Sequence, residues 1–99
     1  MNLRHAAAVA LVGWYLMIPP VIEKAGSYEA DFNAPLSRWS VNSPFDSASE
    51  CRAVNANLVL QQRRVFDQAQ VHSRDWAVAQ RLVVSQCIAS DDPRLKDAK

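Results

Sequence analysis

The sequence predicts a small α+β domain in which two or three short antiparallel strands are covered by one long helix or two consecutive ones, with one disulfide joining helix to sheet. Three observations carry this expectation. Trp14-Tyr15-Leu16-Met17-Ile18 is an aromatic and aliphatic run closed by Pro19-Pro20, the composition of a strand and its stop. Asp46-Ser47-Ala48-Ser49-Glu50 has the spacing of a helix-capping box and precedes apolar residues at three- and four-residue steps. The two cysteines, Cys51 and Cys87, fall in the first turn of that helix and in a late segment rich in branched residues.

Taken in chain order, the first element is Arg4-His5 followed by the apolar run Ala6 to Ile18, a basic start and apolar stretch with the grammar of an export signal. Leu11-Val12-Gly13 offers a small residue before a cut, and Ala8-Val9-Ala10 is a second such triplet. A cut after Gly13 divides the chain into a leader, 1–13, a single stapled domain, 14–93, and a charged tail, 94–99. An uncleaved anchor is the rival, with Ala6 to Ile18 as a membrane tether and Trp14 and Tyr15 at the interface, although the run is short against the ~20 residues that span a bilayer. The third reading is an ordinary buried segment of a cytosolic protein.

Beyond the prolines, Val21 to Ala34 holds no sustained period and reads as loop. Leu36 to Val41, ended by Asn42-Ser43-Pro44, is expected as a strand. The helix beginning at Ser47 carries Val54, Leu58, Val65 and Ala69 on one face, interrupted near Gln61 and Gln62. Ser73 is placed to cap a second helix with Trp76, Ala79 and Leu82, so one bent helix or two both fit. Ser85 to Ala89 is expected as the last strand, turned out by Asp91-Asp92-Pro93, and Arg94 to Lys99 as a frayed tail.

The bulk numbers exclude some functions. With 11 basic and 10 acidic residues among 99, the formal charge of +1 gives no field to draw the protein onto nucleic acid. Without its first segment the chain has only about 80 residues for a core, a size at which a staple is expected. A Cys51–Cys87 bond is that staple: oxidation is the default outside the cytoplasm, and closing the loop restricts the unfolded chain by about 4 kcal/mol. The functional alternative is a redox-active Cys51 whose thiolate the helix N-terminus would stabilise, but no Cys-x-x-Cys accompanies it.

Other candidates each have a plainer explanation. Asp91, Asp92 and Arg94 around Pro93 concentrate charge for a calcium or polar-ligand site, yet aspartates before proline are common turn formers and calcium needs more oxygen ligands. His72 with Asp75 has the makings of a base and its orienter but lacks a nucleophile. Arg63-Arg64 with Asp67 is a solvated helix face. Trp39 and Trp76 are large enough for binding anchors, with a small-ligand groove beside either left open, but in so small a domain such residues are more often the core itself. No cofactor or metal is implied.

The segments Trp14 to Pro20, Phe45-Asp46-Ser47-Ala48 with Cys51, and Cys87-Ile88-Ala89-Ser90-Asp91-Asp92-Pro93-Arg94-Leu95 together resemble a group of small exported bacterial proteins with a Trp-Tyr-Leu-Met-x-Pro-Pro run, a Phe-Asp-x-Ala-x-x-Cys segment and a Cys-x-x-Ser-Asp-Asp-Pro-Arg-Leu segment. The match covers about a third of the chain. The resemblance implies that Trp14 to Pro20 belongs to the mature domain and that Cys51 pairs with Cys87; it assigns no activity. The expectation is a periplasmic or envelope-associated, non-enzymatic interaction or structural protein with a protein or envelope partner. The alternative is a small thiol-redox protein or enzyme using Cys51 or the Asp91-Asp92 pair.

Overall fold

The structure, a computed structural model, describes residues 13–96. Its strands are β1 (Trp14–Ile18), β2 (Val21–Lys24), β3 (Ser27–Ala30), β4 (Ser40–Phe45) and β5 (Gln86–Ala89), and its helices are α1 (Ala48–Gln68) and α2 (Arg74–Val83). Single turns of 3-10 helix lie at Leu36–Arg38 and Pro93–Lys96. The fold is therefore α+β, with a three-stranded antiparallel sheet in the order β4-β1-β5 and a separate β2-β3 hairpin.

β1 is central, which explains why its sequence is apolar without alternation: both of its faces are covered. Tyr15 lies opposite Ile88, and with Met17 these side chains share one face. There Met17, Leu36, Trp39 and Ile88 form the buried cluster, with Tyr15, Ala34 and Leu95 packed against it. Leu16 lies opposite Cys87 on the other face. Cys87 is disulfide-bonded to Cys51 in the first turn of α1, so the N-terminal part of that helix covers this side.

This arrangement corrects several sequence expectations. Leu36 to Val41 is not one strand. Leu36 and Trp39 are three residues apart, which would send them to opposite faces of a strand but brings them together across a 3-10 turn; both are buried, and β4 begins only at Ser40. Val21 to Ala34 is not all loop: Ala25 and Gly26, with φ of 54° and 85°, make a two-residue turn of the primed type that joins β2 to β3. The tail does not fray at Arg94, because the second 3-10 turn carries Leu95 onto the core. Of the apolar run Ala6 to Ile18, Trp14 to Ile18 forms the central strand of the sheet. Met1 to Val12 lies outside the described residues.

Gly13, the first described residue, is paired with the sheet. Gly13 N–H donates to Ser90 Oγ (2.9 Å) and Gly13 C=O accepts from Ser90 N–H (2.8 Å), extending the β1–β5 pairing. A Cβ at this position would lie 3.3 Å from the Phe45 carbonyl oxygen, a close approach that glycine accommodates. A cut after Gly13 would remove both bonds.

β4 is an edge strand. Its register against β1 shifts between Leu16 and Met17, which face Ser43 and Val41 and leave Asn42 as an extra, bulged residue. The bulge and Pro44 both blunt this edge against pairing with another chain.

Both helix caps form as the sequence indicates. Ser47 Oγ accepts from Glu50 N–H (3.2 Å) and Ser73 Oγ from Trp76 N–H (3.1 Å), so there are two helices. The second half of the first cap differs, because the Glu50 carboxylate accepts from the Ser47 hydroxyl (3.3 Å). The inward face of α1 is also rotated from the expected stripe. Val54 and Val65 are exposed, whereas Cys51, Asn55, Leu58, Gln62 and Phe66 are covered at least in part. Asn55 belongs inside because its amide donates to both the carbonyl (3.1 Å) and the hydroxyl (2.8 Å) of buried Ser85. Ser85 in turn donates to the Leu82 carbonyl, which completes the polar network.

Candidate functional site

The β2-β3 hairpin stands beside α2 and the turn that joins the two helices. Its base is closed by Asp31 N–H donating to Pro20 C=O (2.8 Å), and α2 holds it through Ala30 N–H to Gln80 Oε1 (2.8 Å) and Arg81 Nε to the Pro19 carbonyl (2.9 Å). Strand pairing then separates its two faces. The pairs Val21–Ala30 and Glu23–Tyr28 share one face, where Val21, Glu23 and Tyr28 line a cleft with Arg74, Val78 and Arg81 of α2. Ile22–Glu29 and Lys24–Ser27 share the opposite face.

On that opposite face a groove of about 210 Å³ is lined by Ile22, Lys24, Ser27, Glu29 and His72. Ile22 is half-buried and supplies an apolar floor. Lys24 and Glu29 are exposed, and neither forms an ion pair with another described residue; the pairs found are Arg63–Asp67 and Asp92–Arg94. The groove therefore presents a cation, an anion, a hydroxyl and an imidazole around an aliphatic surface.

His72 is the unusual member. It has φ 70° in the helix–helix turn, where Ser73 N–H donates to Gln70 C=O (2.9 Å). Histidine tolerates this left-handed region better than most residues, but the conformation still costs on the order of 1 kcal/mol. Apart from Ala25 in the hairpin turn, no other described non-glycine residue has positive φ. Several contacts hold it there. Its carbonyl accepts from Tyr28 N–H (3.0 Å), its Nδ1 lies 3.4 Å from the Tyr28 carbonyl, and its ring tilts against Trp76 with centroids 4.9 Å apart. Trp76 stacks on Phe66 at 5.4 Å. Since a carbonyl only accepts, the Nδ1 contact is a hydrogen bond when Nδ1 carries the proton, and the neutral ring then keeps Nε2 as an acceptor.

The residues singled out from the sequence are dispersed. Trp39 is in the core on the far face of the sheet, its Nε1–H donating to the Ala34 carbonyl (2.9 Å). Trp76 is half-buried behind His72 and backs the groove without lining it. Cys51 is wholly buried and bonded to Cys87 across 36 residues, which leaves no free thiol. Asp75 has no contact with His72 of the kind a base and its orienter require; Tyr28 and Trp76 take that place. The groove residues Ile22, Lys24, Ser27 and Glu29 fall in the segment read as loop. Their signal was the two short polar-apolar runs on either side of Ala25-Gly26.

Of Asp91, Asp92 and Arg94, the last two pair with each other. Asp92 accepts from Arg94 Nε (3.0 Å), Nη2 (2.8 Å) and backbone N–H (2.9 Å), so its carboxylate is engaged within its own turn. The side-chain hydrogen bonds from Arg94, then the backbone one, hold the Asp92 carboxyl at about 2. A carboxyl lowered in the fold contributes stability that is present above its ordinary value of 3.8 and is lost as pH falls through about 2. In a carboxyl NMR titration of the native protein Asp92 is expected to change at about 2, and Arg94→Met to return it toward 3.8. A native midpoint at the ordinary value would show that the pair does not persist in solution. Among the described residues no group of three or more His, Cys, Asp or Glu side chains is placed to hold a metal ion. No described helix is long and apolar enough to cross a membrane.

Comparison with protein-family models, with characterised proteins and with solved structures gives no significant match.

Proposed function

We propose that the chain is a small exported module of the bacterial periplasm or envelope that acts by binding and not by catalysis. The observation that carries this reading is the Cys51–Cys87 bond between α1 and β5, with Cys51 fully buried. A bond of this kind belongs to an oxidising compartment, and burial suits a structural staple better than a reactive thiol. The basic and apolar segment upstream of Gly13 supplies the route of export. The binding role is favoured because several polar groups singled out for chemistry are taken up internally, Asp92 by Arg94 and the Trp39 indole by Ala34. The hairpin groove sets Lys24 and Glu29, neither in an ion pair with another described residue, around the apolar surface of Ile22.

The test is the intact mass of the full-length gene product recovered from a bacterial envelope fraction, with and without reduction and alkylation. Both thiols are expected to resist alkylation until reduction, in a product that retains Gly13. A full-length product with two alkylatable thiols in the native state would overturn the exported, stapled reading.

A further inference from the structure

We propose that the groove between the β2-β3 hairpin and the helix–helix turn binds a small zwitterion of dipeptide length, with its carboxylate at Lys24 and Ser27 and its ammonium group at Glu29 and His72. The pairing of the hairpin sets the polarity. Lys24 and Ser27 face each other near the tip, and Ile22 and Glu29 face each other two residues further down on the same face. Two residues along a strand span about 7 Å, which is also the reach of two extended residues between a free amino group and a free carboxylate. The volume of about 210 Å³ suits the same size class, and Ile22 offers contact to a small aliphatic side chain.

His72 gives the second line of argument. Its backbone, with φ 70°, carries the imidazole to the wall of the groove. Its Nδ1 is directed to the Tyr28 carbonyl and its face to Trp76, which fixes the ring as a wall of the groove and keeps Nε2 as the nitrogen able to accept from an ammonium group. Lys24 and Glu29 are exposed residues with no ion-pair partner among the described residues, so binding breaks no existing pair. This inference does not depend on where the protein resides, and its test is separate from that of export.

The test is an NMR amide titration of the full, disulfide-bonded chain with L-alanyl-L-alanine, using the N-acetylated C-terminal amide of the same dipeptide as the uncharged control. Saturable shifts centred on Ile22, Lys24, Ser27, Glu29 and His72 are expected, with a Kd on the order of 1 mM. Lys24→Met and Glu29→Gln are each expected to weaken binding about tenfold while leaving the remaining spectrum, and hence the fold, unchanged. His72→Gly should keep the turn and weaken binding as well. An absence of saturable shifts at about 20 mM, equal shifts with the capped control, or unchanged affinity in both charge variants would overturn the proposal.

Discussion

Reducing the Cys51–Cys87 bond is expected to lower the unfolding free energy by about 4 kcal/mol, read from urea transitions of the oxidised and reduced protein. The bond closes a separation of 36 residues, and in the chain-entropy model that loop sets the size of the effect. A domain of this length has a total stability of about 4–12 kcal/mol, so loss of the bond removes a large share of it. The location of the bond sharpens the expectation. It ties the first turn of α1 to β5, an edge strand of four residues held to the sheet through β1. Cys51 is fully buried and Cys87 half-buried, so a reductant is expected to attack from the Cys87 side. A difference below about 1 kcal/mol between the two forms would mean that packing alone fixes α1 on the sheet.

Where the sequence was legible, a local cause sufficed. The prolines after Ile18 end β1, and Ser47 and Ser73 cap the helices through backbone N–H groups three residues on; each is decided within a few neighbouring residues. The pairing of the cysteines was legible from their placement at a helix start and in the last strand. Errors arose where a distant partner decides. Gln62 interrupts an apolar stripe on paper, yet it lies with Asn55 on the covered side of α1, where Ser85 gives Asn55 its hydrogen bonds. Leu36 and Trp39 look like strand residues until the sheet requires a cover on its second face.

The candidate groove was illegible for the same reason. His72 was singled out, but nothing near it in sequence points to Tyr28, 44 positions away. Its unusual φ arises in a turn that carries neither glycine nor asparagine at that position, so no sequence rule marks it. The hairpin that supplies the other lining residues turns at Ala25-Gly26, a weaker signal than Asn-Gly or Asp-Gly.

Leu16→Ala is expected to be among the most destabilising single substitutions, costing about 3–4 kcal/mol. Leu16 is fully buried in the central strand, and its face of the sheet is closed by α1 through the disulfide. Truncation there removes apolar contacts and leaves a cavity that a strand paired on both edges cannot collapse to fill. Leu60→Ala provides the contrast within α1: Leu60 is 74% exposed, and its truncation should fall within about 0.5 kcal/mol of the parent. Because Leu16 faces Cys87 in register, its substitution and loss of the disulfide should not add: once the staple is gone, α1 is free to shift and partly close the cavity. Urea transitions of the oxidised and reduced parent and Leu16→Ala proteins, or of Cys51→Ala/Cys87→Ala versions if reduction leaves a protein too unstable to measure, yield that coupling. A coupling of at least about 0.5 kcal/mol is expected, with the truncation less costly in the unstapled chain. Strict additivity would instead show that α1 holds its position on the sheet without the bond.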